Sequence, residues 1–212
     1  FLPNFQIGGA GNSILKICKN INYKSYNIFI ISLGKNHYKN KLKKYNAQIL
    51  ELPNKRLFFS INILKKIIKT ISKSNKSIFV SNINYSNVIC CLFLRKIKNI
   101  KIVTIERTPI QELDFYNSLN DLIKKKLIKF LIKKTYKYAY LRIGNSQPVS
   151  KDLSRLCGCS VKTYLPYINI TKRKINLFSK PKINISWIGR DSPEKNLDDL
   201  INAIKFLPKG KL

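Results

Sequence analysis

The feature that most constrains this chain is a regular alternation of short apolar runs with longer amphipathic stretches. Runs rich in Ile, Val, Phe and Tyr fall at 26–33, 47–52, 77–82, 101–106, 139–145, 161–167 and 183–189. Stretches with helical periodicity lie near 11–22, 36–45, 56–74, 86–96, 117–138, 149–157 and 194–207. Connections long enough to hold a helix are crossovers rather than hairpins, so the pattern predicts parallel strands with right-handed connections. Several runs, "YNIFIISL" among them, are apolar at successive positions, as strands covered on both faces require. The expected fold is α/β, with a doubly wound, Rossmann-like parallel sheet over residues 1–168. Residues 169–182, "NITKRKINLFSKPK", carry charge without periodicity and read as a linker. Residues 183–212 then offer one strand and one helix, too little to bury a core alone. A chain with no methionine that opens at a strand end and closes just after a helix reads as a fragment.

Composition enters through charge. The 212 residues carry a formal net charge of +31, which would draw the chain toward polyanions. Yet 34 lysines stand against 7 arginines, whereas base-edge readout favours the planar guanidinium fork. The lysines are scattered rather than gathered into one arm, and the heavy use of Ile, Lys and Asn has the look of AT-rich codon bias. No specific nucleic-acid partner is expected, although the charge favours salt-sensitive attraction to anionic surfaces. Cys18, Cys90, Cys91, Cys157 and Cys159 contain no C-x-x-C pair, and His37 is the single histidine. That usage points to a reduced, cytoplasmic protein without a metal site. No apolar stretch approaches the ~20 residues needed to span a bilayer.

Four stretches could carry function. In "QIGGAGNS", residues 6–13, Gly8 and Gly9 let backbone amides approach a ligand at the start of a helix, whose N-terminus favours negative charge. In "IERTP", 105–109, Glu106 and Arg107 fall at a strand end, on the sheet edge where ligands of open α/β folds bind, or else form an ion pair. In "WIGRDSPEKN", 187–196, Gly189 allows a tight exit and Pro193 suits a first helical turn, so Arg190 and Lys195 can face one edge. A guanidinium fork and an ammonium aimed together suit a diphosphate. Finally, "LNDLIKKKLIKFLIKKTYKY" places Leu119, Leu122, Ile123, Leu127, Phe130, Leu131 and Tyr138 at helical spacing among Lys125, Lys129 and Lys133. Its apolar side is expected in the core; peripheral contact with an anionic membrane is the alternative.

Taken in order, these pieces resemble the GT-B nucleotide-sugar glycosyltransferases of the large retaining group called group 1 or family 4. "GGAGNSILKICKNI" followed by "YNIFIISL" is similar to that family's first glycine loop, helix and second strand. "AYLRIGNSQPVSKDL" resembles the last strand and following helix of its first domain. "ISWIGRDSPEKNLDDLINAIKFLP" looks like the opening of its donor-binding domain, with the motif Gly-Arg-x-x-x-Glu-Lys. The resemblance implies an acceptor-side Rossmann-like domain at 1–168 and the start of a donor domain at 183–212. It implies a nucleoside-diphosphate sugar as donor, a glycan or lipid-linked acceptor, no metal or other cofactor, and Arg190 and Lys195 on the donor diphosphate. Gly8 and Gly9 would border the cleft. The chain departs from the family pattern at Gly11, where many members carry an acid, and at "ERTP", where many place a histidine. The family's late Glu-x7-Glu motif lies beyond Leu212, so no catalytic residue is identified and the piece itself is expected to be inactive. Two other readings are a non-catalytic basic module for RNA or anionic membrane, and a sugar-nucleotide epimerase of similar architecture.

Overall fold

Along the first 165 residues strand and helix alternate nearly where the apolar periodicity places them. The computed structural model describes residues 1–5, 8–53, 56–73, 75–116, 118–165, 185–189 and 196–206. The chain divides into two units, Phe1–Ile168 and Asn169–Leu212. The first contains α1 (Gly9–Asn20), β1 (Phe29–Leu33), α2 (Lys39–Lys43), β2 (Gln48–Leu52), α3 (Leu57–Ile71), β3 (Ser77–Asn82) and α4 (Asn84–Leu94). It continues with β4 (Ile100–Glu106), a 3-10 turn (Ile110–Leu113), α5 (Leu119–Thr135), a second 3-10 turn (Tyr136–Tyr138), β5 (Leu141–Gly144), α6 (Gln147–Cys157) and β6 (Lys162–Thr163).

All strand pairs are parallel: β1 with β2, and β3, β4, β5 and β6 in that order. Residues 1–5 join these two leaves. The Leu2 amide donates to the Ile31 carbonyl at 3.2 Å and the Leu33 amide to the Pro3 carbonyl at 3.1 Å. On the other side the Phe1 nitrogen donates to the Val80 carbonyl at 2.6 Å, and Asn82 Nδ2 to the Phe1 carbonyl at 3.0 Å. The order across the unit is thus β2, β1, residues 1–5, β3, β4, β5, β6, and it reverses direction between residues 1–5 and β3. This is the doubly wound, Rossmann-like arrangement.

Successive side chains of a strand point to opposite faces, and the core divides accordingly. Leu2, Ile28 and Ile30 pack with Ile14 and Cys18 of α1 and Leu42 of α2. Phe1, Ile31, Leu33, Phe79 and Ile102 pack on the other face with Leu57, Ile61 and Leu64 of α3 and Cys90, Cys91 and Leu94 of α4. Val88, Ile128, Ile132, Tyr136 and Leu153 tie α4, α5 and α6 together. Local chemistry sets the helix ends. Ser118 and Ser146 accept the amides of Asp121 and Val149 as N-caps, and Gly158 ends α6 at φ +65°, a conformation open to glycine.

Some expected elements differ. Among the described residues of the run 161–167, which end at 165, pairing is confined to Lys162–Thr163; as the outer strand it has a partner on one side, and Tyr164 and Leu165 are exposed. Residues 185–189 form no strand, while 183–184 lie outside the described residues. A strand needs a ladder, and the described residues of the second unit supply no second strand. That unit shows α7 (Leu197–Lys205), with Asp198 and Asp199 in its first turn and Lys205 in its last, complementing the helix dipole; none of its residues is buried.

Candidate functional site

In open α/β sheets ligands bind outside the carboxyl ends of the strands, where the strand order reverses. Here that point lies between residues 1–5, which lead into the glycine turn, and β3, which ends at Asn82. Gln6 and Ile7 lie outside the described residues, whereas Gly8 and Gly9 are described. A side chain at either glycine would meet nothing within 4 Å, so both face open space. Gly8 has extended backbone and its amide donates to the Tyr38 hydroxyl at 3.1 Å; that hydroxyl is 3.0 Å from Asn12 Oδ1, an acceptor for its proton. The Gly8 amide is therefore engaged in holding the turn. The first-turn amides of α1, from Gly9 onward, are the ones helix geometry leaves without intrahelical acceptors.

Gly11, where the resemblance drawn from the sequence would place an acid, has a physical reason in this chain. An added Cβ would sit 2.5 Å from Tyr38 Cε2. Tyr38, almost wholly buried, fills the space that a side chain at position 11 would occupy. No acidic residue fits there without displacing the ring that fixes the glycine turn.

Glu106 and Arg107 end β4 and take opposite directions, and they do not pair with each other. Arg107 is half-buried; its Nε and Nη2 both donate to Asn82 Oδ1, at 3.0 and 2.9 Å. Its carbonyl accepts from Asn145 Nδ2 at 2.8 Å. Thus the ends of β3, β4 and β5 are cross-linked by three polar residues, and Asn82 in turn holds the Phe1 carbonyl. Burial lowers the Arg107 pKa from its usual value. Among the described residues no carboxylate pairs with this guanidinium, so a partly desolvated cation stands at the reversal point with only a neutral amide as side-chain partner.

Glu106 is fully buried beneath the edge rather than presented at it. Its Oε1 accepts from Asn87 Nδ2 at 2.7 Å and from the Tyr136 hydroxyl. Its Oε2, Asn87 Oδ1, Thr104 Oγ1 and Thr135 Oγ1 are buried without a hydrogen-bond partner. Burial pushes the Glu106 carboxyl up to about 7, against the two hydrogen bonds that favour its charged form. Tyr136 is pushed well above its ordinary value by burial and by the neighbouring carboxylate. The carboxyl is thus buried inside the unit, tying the end of β4 to α4 through Asn87 and to Tyr136, one residue before Arg107.

Two further features were not legible in the sequence. Ile83, between β3 and α4, sits at φ +76° and ψ +136°, a region costly for a β-branched residue. Its amide donates to the Ile105 carbonyl at 3.2 Å, and Ser86 Oγ bonds the Asn82 and Ile83 carbonyls, so the kink is held from both sides. The second is a basin of about 440 Å³ beyond the ends of β1 and β2, lined by Lys35, Asn36, His37, Lys39, Asn40 and Glu51. The Asn36 amide donates to Glu51 Oε1 at 2.9 Å, and Lys39 Nζ lies 3.4 Å from Oε2. The Asn36 amide, and then Lys39, hold the Glu51 carboxyl below its usual range.

Arg190 and Lys195 lie outside the described residues. Nearby, Gly189 is close to the Trp187 ring, 2.8 Å from where its Cβ would fall to Cζ2. The five cysteines are unpaired, four of them buried and Cys159 half-buried. Burial raises Cys90 and Cys91 to about 12, which removes them as nucleophiles near neutral pH. No described helix is long and apolar enough to cross a membrane.

No family model matches the sequence, and no curated protein matches it significantly. Among solved structures the chain resembles Anabaena HepE in complex with UDP and glucose, with a TM-score of 0.57 and 17% identity. The alignment covers 97% of this chain and 49% of HepE, so the chain spans about half the length of that protein. At this identity the likeness is one of fold: a parallel α/β, Rossmann-like unit.

Proposed function

We propose that this chain is the acceptor-side portion, with the start of the donor-binding portion, of a GT-B glycosyltransferase of the hexosyltransferase type. The observation that carries the reading is that nearly the whole chain follows the fold of a protein seen with UDP and glucose. The polar crevice edge at the point of strand reversal supports it. In this reading residues 1–168 present the acceptor, 169–182 link, and 183–212 open the donor domain. The donor is a nucleoside-diphosphate sugar, and the acceptor is a hydroxyl of a cell-envelope glycan or lipid-linked saccharide. The enzyme is cytoplasmic, retaining and of the group 1 or family 4 type.

The chemistry asked of the chain is charge compensation. As the bond from the anomeric carbon to the diphosphate oxygen breaks, negative charge grows on the leaving group. Arg190 as a fork and Lys195 as a point charge stabilise it in place of a metal. Gly8 and Gly9 border the cleft, and Asn82 holds the Arg107 guanidinium at the strand ends. In this reading donor binding and turnover belong to the enzyme with its donor-binding half complete, and these 212 residues alone transfer no sugar.

Calorimetric titration of the enzyme with its donor-binding half complete, with UDP, GDP and inorganic phosphate at low and high salt, tests this. A nucleoside diphosphate should bind tighter than phosphate, lose less affinity with salt than a lysine lattice would, and lose about tenfold or more on Arg190→Ala. Equal affinity for UDP and phosphate, or an unchanged Arg190→Ala, would refute the reading.

A further inference from the structure

Helix α5 is apolar on two opposite sides. Each residue turns the helix by about 100°, so Leu119, Phe130, Ile123 and Leu127 fall within one arc of about 80°, diametrically opposed to Ile128 and Ile132. The inner pair is buried against α4 and α6. The outer four are 76%, 55%, 65% and 54% exposed, an unusual placement for four large apolar side chains in succession along one face. The helix was expected to lay its apolar side into the core; only part of it does so.

The same arc has a definite charge. Lys126 and Lys133 border one side, Lys124 the other, and Lys134 lies within it, its Nζ 5.7 Å from the Phe130 ring centre. The single acidic residue of α5, Asp121, lies on the inward half and pairs with Lys125 at 3.0 Å. Lys129 is taken up by Asp114, and Lys125 also donates to the Phe115 carbonyl, binding the preceding loop to the helix. That loop adds Phe115, 72% exposed, and Tyr116, 52% exposed. The outer face therefore combines hydrocarbon, aromatic rings and lysines with no carboxylate.

We propose that this face docks on an anionic lipid bilayer, with α5 lying in the plane of the interface. Such a surface supplies both partners the face lacks: acyl chains for the apolar arc, and phosphate headgroups for the lysines, whose long stems reach outward from it. A nucleic-acid groove would satisfy the lysines and leave four apolar side chains in water. The placement also fits an enzyme acting on a lipid-linked acceptor, but it does not depend on the donor reading.

Flotation of the full chain with phosphatidylglycerol-containing vesicles, against pure phosphatidylcholine vesicles, is the test. Binding should occur to the first and not the second. The charge-neutral variant I123S/L127S/F130S should weaken it by about tenfold or more with unchanged circular dichroism, since these side chains are more than half exposed and lie opposite the buried Ile128 and Ile132. K126E/K133E/K134E should abolish it, whatever the folding of the serine variant. Three outcomes would overturn the proposal: no binding to the anionic vesicles, binding that survives the serine changes in full, or a shift from dimer to monomer in the serine variant without vesicle binding. The last would assign the face to a second copy of this chain.

Discussion

Replacing Glu106 with glutamine isolates the buried acid from the rest of this highly charged chain. The Glu106 carboxyl is raised from an ordinary 4.5 to about 7. Between those values the folded chain holds a proton that the unfolded chain has released. Stability is therefore greatest below the unfolded value and falls as pH climbs through the folded one. At about 1.4 kcal/mol for each pH unit separating the two values, the loss is roughly 3 kcal/mol by about pH 8. Glutamine keeps an oxygen to accept from Asn87 and Tyr136, and its amide protons meet a layer in which Asn87 Oδ1 and Thr104 Oγ1 want donors. Glu106→Gln should thus match the parent near pH 5 and exceed it by roughly 3 kcal/mol near pH 8 in urea denaturation followed by circular dichroism. Taking the difference between the two proteins cancels the pH response of the lysine-rich surface. A difference that stays constant from pH 5 to 8, or that grows toward acid, would show that the carboxyl is not held in its neutral form and would refute the reasoning.

Two smaller perturbations test the frame around the crevice. Gly11→Ala drives a methyl group to within 2.5 Å of Tyr38, and should cost about 1–3 kcal/mol as an overpacked site; in a double-mutant cycle with Tyr38→Ala the costs should fall short of their sum, and strict additivity would deny the contact. Ser146→Ala removes the cap on the Val149 amide and should cost about 1 kcal/mol in denaturant unfolding, with Ser146→Asp restoring most of it; an unaffected midpoint would remove the cap from the account.

Periodicity located the strands because burial on both faces leaves an unbroken apolar run, and β3 at Ser77–Asn82 falls where "SIFVSN" places it. It overextended where the run lacks neighbours, as at Tyr164 and Leu165, because composition does not report which side of a strand is paired. The α5 stretch shows the same limit from another direction: spacing identifies apolar positions but not which of two arcs the core takes. Charge adjacency suggested that Glu106 and Arg107 could meet, yet neighbouring residues of a strand point to opposite faces, which sends the acid to Tyr136 and the guanidinium to Asn82. Asn82, Asn145 and Tyr136 carry no local signal in so Asn-rich and Tyr-rich a chain, and only register brings them to the edge. Ile83 could not be found by any propensity argument, since its backbone opposes its residue type.

The way residues 1–5 lie between β1 and β3 has a mechanical consequence. A two-stranded leaf is marginal alone; β1 and β2 are held by helices on both faces and, along the sheet, by a seam only a few peptide units long. Amide protons of that leaf should exchange together with those of Leu2 and ahead of β4, making the unit one that unzips from its middle rather than frays from its rim.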